Sequence, residues 1–76
     1  MLGVGTLFKY KYTHGSCETM YGVITKRREQ ENLIEIQWLG KNSSYPISDL
    51  ALLNLLKSGD EKSGIIYNTN ERVNHN

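Results

Sequence analysis

Disulfides, metal clusters and membrane spans are all beyond this 76-residue chain's means, because it holds one cysteine, one proline, two histidines and no long apolar run. Cys17 alone cannot form an internal disulfide, and no Cys-x-x-Cys is present to hold zinc. The longest mostly apolar stretch, Leu50 to Leu56, falls well short of the roughly 20 residues a helix needs to cross a bilayer. The N-terminus lacks the basic start and apolar core of a signal peptide, so the expected setting is a reducing cytoplasm with no membrane partner. A chain of this length buries only about 60% of its unfolded surface, which leaves a small core and no room for a large internal active site. No catalytic signature occurs either. The chain is expected to be non-enzymatic, with no cofactor and no metal.

What is present is β pattern. Ile34, Ile36 and Trp38 alternate with Glu35 and Gln37, which describes a strand with one buried face and makes Trp38 the expected centre of the core. Before it, Thr6 to Tyr12 places Phe8, Tyr10 and Tyr12 on one face and Leu7, Lys9 and Lys11 on the other. The glycines of Met1 to Gly5 permit a bend ahead of that strand, and without a third glycine and a helix they form no phosphate loop. Met20 to Lys26 is a second strand, whose Gly22 signals a bulge or a close approach. Arg27 to Asn32 reads as a charged turn into the Ile34 strand. Gly40-Lys41-Asn42-Ser43 then turns the chain into a short strand at Ser44-Tyr45-Pro46, which the proline confines to an edge.

Charge is distributed unevenly. Residues 1–28 carry Lys9, Lys11, Lys26, Arg27 and Arg28 against Glu18, a net of +4, whereas residues 29–76 carry four basic and seven acidic side chains, a net of −3. A basic face built from those five residues, with Tyr10 or Tyr12 as stacking groups, would suit DNA, RNA or an acidic protein surface. The polar loop Thr13 to Thr19 holds His14, Cys17 and Glu18, but these are too few for zinc, the other histidine being His75. Cys17 also lacks an oriented base. Ile65-Ile66-Tyr67 forms an apolar patch after a polar linker, expected to close a sheet edge or to dock a second subunit as a short strand. Asn68 to Asn76 reads as a flexible tail.

Ile47 to Gly59 supports two readings. Ser48 as a cap, Asp49 in a first turn, and Lys57 with Gly59 at the end describe a helix. Leu50, Leu52 and Leu56 at even spacing describe a turn at Ser48 to Leu50 followed by a strand.

The sequence Tyr21-Gly22-Val23-Ile24, then Ile34-Glu35-Ile36-Gln37-Trp38 with its glycine turn, then Tyr45-Pro46-Ile47-Ser48-Asp49-Leu50 with leucines after it, resembles the small SH3-like barrels of Tudor and KOW type. It looks particularly like short single-domain barrels encoded by tailed bacteriophages. The resemblance spans roughly residues 3–56 and implies an all-β fold: a five-stranded SH3-like barrel over residues 1–56, with a 3₁₀ turn at Ser48 to Leu50 before the last strand. Residues 57–76 are then a linker, a short strand at 65–67 and a flexible C-terminal tail. A Tudor-type aromatic cage would draw on Tyr21, Trp38 and Tyr45, although Trp38 shares the phase of Ile34 and Ile36. The function so implied is a phage-type adaptor or modulator that binds a host or viral protein, in the host cytoplasm if the chain is viral. The alternatives are a nucleic-acid module using the basic face, and a virion structural or decoration component. Homo-oligomers through a strand edge fit any of the three.

Overall fold

A computed structural model describes residues 2–13 and 18–69 of the chain. His14, Cys17 and His75, and with them the loop chemistry and the tail beyond residue 69, lie outside the described residues. Five antiparallel strands make one sheet: β1 (Leu7–Tyr10), β2 (Met20–Arg28), β3 (Leu33–Trp38), β4 (Ser44–Ile47) and β5 (Gly64–Tyr67). Their spatial order is β4-β3-β2-β1-β5, so β4 and β5 are the two edges and the sheet is open rather than closed into a barrel. Among the described residues there is one helix, α1 (Asp49–Ser58), on the path between those edges.

Alternation builds the core. Phe8 and Tyr10 of β1, Ile24 of β2, and Ile34 and Ile36 of β3 are buried together with Leu2, Leu52 and Leu56. The register places Ile24 opposite Ile36 and sets Gly22 between Phe8 on one side and Trp38 on the other. Gly22 serves a close approach rather than a bulge: a Cβ there would collide with the Phe8 ring and meet Trp38 Cε3 at 3.2 Å. Phe8 and Trp38 stack edge to face across it, centroids 5.2 Å apart. Trp38 is half-buried against the core, at its margin rather than its centre.

The bulge occurs three residues further on. The β2–β3 register slips between Ile24 and Lys26, leaving Thr25 without a partner. Gly22 and Ile24 face the core before the slip; after it Arg27, opposite Ile34, takes that face. The Arg27 guanidinium there donates to both carboxylate oxygens of Asp49, at 3.1 and 2.8 Å, and to the carbonyl of Leu2. The Leu2 N–H in turn donates to Asp49 Oδ2 at 2.9 Å. Arg27 and Arg28 are therefore strand residues, and the charged turn is confined to residues 29–32.

The expected 3₁₀ turn and strand after Ser48 are replaced by α1. Ser48 is its N-cap, with Oγ accepting from the Ala51 N–H at 3.1 Å, and Asp49 and Lys57 sit at the helix ends their charges favour. Leu52 and Leu56, four apart, share one stripe and are buried, whereas Leu50, which a strand would bury with them, is 68% exposed. Burying each of those two leucines contributes roughly 2 kcal/mol, enough to select the helix over the even-spaced alternative.

The last strand is instead β5, paired with Leu7 to Lys9 of β1. A boundary at residue 56 therefore cuts through α1 and removes a strand from the sheet, because Ile65 packs on the core and α1 needs its C-terminal turn to bury Leu56. The start of the supposed tail is also anchored. Thr69 Oγ1 donates to the Val4 carbonyl at 2.8 Å, and its N–H donates to the buried Thr6 hydroxyl at 3.3 Å.

Arg27→Met should lower stability by roughly 1–2 kcal/mol in urea unfolding, because it leaves the partly buried Asp49 carboxylate without its main partner. The hydrogen bonds from Arg27 hold the Asp49 carboxyl below its ordinary value, with the Leu2 N–H adding to the effect and burial opposing it. The increment is thus fully present above about pH 4, the unfolded value, and is lost as pH falls through the lower folded one. The stability difference between the native chain and Asp49→Asn should shrink over that acid window. Gly22→Ala should cost at least about 1–3 kcal/mol by the same measurement, from overpacking against Phe8.

Candidate functional site

α1 packs on the core through Leu52 and Leu56. It starts at Asp49, held by Arg27 near the end of β2, and finishes at Gly59, where a side chain would press on Tyr10 and the Lys11 carbonyl. On the side of the helix toward the β3–β4 hairpin, the core face remains open as a cleft of about 430 Å³. That volume falls within the range of sites for small molecules or single side chains.

Its walls are aromatic. Tyr10 and Tyr12 come from the end of β1 and pack edge to face with centroids 5.3 Å apart. Trp38 and Tyr45 come from β3 and β4; Tyr45 stands opposite Ile36 in the hairpin register, so both point to the core face with Trp38. Ile36 and Leu55 complete the apolar interior, and Met20, Lys41, Ser43 and Ser44 form the rim. Tyr12 and Tyr45 are each 56% exposed, so they present ring surface to a ligand, whereas Tyr10, at 6%, belongs to the core. The β3–β4 turn is fixed at its base: Gly40 takes φ +89°, the Lys41 N–H donates to the Trp38 carbonyl at 3.0 Å, and the Lys41 carbonyl accepts from Gln37 Nε2 at 2.6 Å.

No protein-family model, curated protein or solved structure matches this chain. Its function must be argued from its own residues. Among the described residues no group of three or more His, Cys, Asp or Glu could hold a metal ion, and no helix is long and apolar enough to cross a membrane.

The five basic residues singled out in the sequence do not form one face. Arg27 lies on the core side, bound to Asp49. Arg28 lies on the opposite face, where its Nε donates to Glu35 at 2.7 Å and its other arm reaches Glu31 at 3.5 Å. Lys9 stands opposite Tyr21 and Lys26 opposite Glu35, so they share the outer face but sit five positions apart along β2, about 15 Å. Lys11 lies beyond β1, beside Gly59, Asp60 and Lys62. Tyr10, with its ring in the core, cannot stack on a base, and Tyr12 belongs to the aromatic cleft. Of the patch at the chain's end, Ile65 packs on the core and the strand pairs with β1, while Ile66 and Tyr67 are exposed. The apolar patch thus docks on its own sheet.

Of the cage candidates, Trp38 and Tyr45 meet in the cleft; Tyr21, paired with Lys9, faces away. Tyr12, Leu55, Met20 and Lys41 complete the site and were not assigned to a cage from sequence. The alternation of Phe8, Tyr10 and Tyr12 was the available signal for Tyr12. Leu55 became visible only with the helix.

Ala at Tyr12 or at Tyr45 should change stability by no more than about 1 kcal/mol in urea unfolding, since both rings are largely in solvent. Tyr10→Ala should cost roughly 2–4 kcal/mol. That contrast separates the walls that are free to bind from the one that holds the core.

Proposed function

We propose that this chain is a non-enzymatic protein-binding module, which takes a short segment of its partner into the cleft between Tyr12, Trp38 and Tyr45. The observation carrying this reading is the pair of half-exposed tyrosines facing a half-buried tryptophan over an apolar floor. Large, rigid aromatic surfaces on a preformed scaffold lose little entropy when they engage a ligand, which is why they dominate recognition sites. Five antiparallel strands with a single helical element just before the last are also the element count and sequence implied by an SH3-like layout, with α1 in place of the 3₁₀ turn. On that resemblance the role is a phage-type adaptor or modulator, and the partner is a host or viral protein. The dispersal of the basic residues over two faces, with both arginines in ion pairs, weighs against a nucleic-acid role.

Selection of a random peptide library against the native chain, with Tyr12→Ala/Tyr45→Ala as the counter-target, tests the reading. Native-specific peptides should emerge, and in ¹H–¹⁵N spectra they should shift the Trp38 indole signal and the backbone signals of Tyr12, Tyr45 and Leu55. A library that yields nothing the double variant does not also retain would refute it.

A further inference from the structure

The proposed docking cleft has a charge character that decides what it accepts. Among the described residues no Asp or Glu lines it, and the one charged lining residue is Lys41. The Lys41 side chain has no carboxylate partner among the described residues. The carboxylates of Asp49 and Glu35 are held by Arg27 and Arg28. The backbone of Lys41 is pinned by its bonds to Trp38 and Gln37, which fixes this residue among those lining the cleft, beside Ser43.

We infer that the cleft recognises an apolar side chain flanked by carboxylates, an acidic–hydrophobic peptide segment, and that Lys41 is the residue that sets this preference. The inference rests on the peptide-docking reading above and adds the class of peptide. An aromatic-walled site attracts cations as well as apolar groups. Here, however, a lysine, arginine or methylated lysine entering between Trp38 and Tyr45 would meet the Lys41 ammonium with no lining carboxylate to offset the repulsion. A leucine or phenylalanine fills the same space without that penalty, and a neighbouring carboxylate gains Lys41 as a partner.

Four capped hexapeptides test the inference, each with a central Leu-Phe and flanked by glutamate, glutamine, lysine or trimethyl-lysine. Binding is read from Trp38 fluorescence and ¹H–¹⁵N shifts at low salt. The glutamate peptide should bind roughly fivefold tighter than the lysine peptide, the magnitude of one partly exposed ion pair. Raising the salt should narrow the gap, Lys41→Gln should abolish it and Lys41→Glu should reverse it. Lys41 is an exposed turn side chain, so these variants keep the fold, and unchanged urea midpoints verify this. Equal or tighter binding of the lysine or trimethyl-lysine peptide would overturn the acidic preference and leave the docking reading standing. If none of the four binds while library-selected peptides do, the acidic–hydrophobic class is wrong. Failure of both sets removes the docking site itself.

Discussion

The ion pair between Arg27 and Asp49 is the contact on which the arrangement of this small protein turns. It joins three parts of the chain that are far apart in sequence: the end of β2, the first residue of α1 and the N-terminal segment at Leu2. Both side chains are mostly buried, at 13% and 20% exposure, and both also bond to the backbone of Leu2. A pair so placed is not strongly stabilising by comparison with an apolar contact of the same size. Its effect is to specify geometry. A guanidinium with two carboxylate bonds admits few orientations, so the start of α1 is tied to one point on the sheet.

The open cleft follows from where α1 is held. With its first residue at Arg27 and its cap region against Tyr10, the helix packs on the core, which Leu52 and Leu56 join with Ile24 and Ile34. It cannot also cover the strip over Ile36 and Trp38, because a helix is only about 10 Å wide and the strands are spaced about 5 Å apart. That strip remains a cleft, and the aromatic rings of three strand ends converge on it. The sheet stays open, with β4 and β5 as its two edges.

Much of the sheet was legible in the residues. The alternation in β1 and β3, the β-forming residues of β2, the turn at Gly40 and the edge position of the Pro46 strand all rest on local patterns, and each has its counterpart in the structure. Three features were not legible. Gly22 announced an irregularity, yet the bulge lies at Thr25, because a glycine admits a close ring as readily as a bulge and only the packing of Phe8 distinguishes them. The arginines read as a solvent turn because charge ordinarily marks exposure; the slip at Thr25 reversed that by bringing Arg27 to the core side. The leucines after Ser48 fitted two periods, and the capping signals that favoured the helix were the better guide than the strand layout set against them.

By itself the sequence determined the composition of a β-rich domain with a small core and the faces of β1 and β3, and it carried the helix's capping residues without deciding between helix and strand, since these depend on neighbours two to four residues away. Only the tertiary structure decided that Arg27 answers Asp49, that β5 completes the sheet and that Tyr12, Trp38 and Tyr45 share one cleft. Most of those residues are separated by twenty positions or more, and a one-residue slip in strand register would have sent Arg27, Trp38 or Tyr45 to the opposite face.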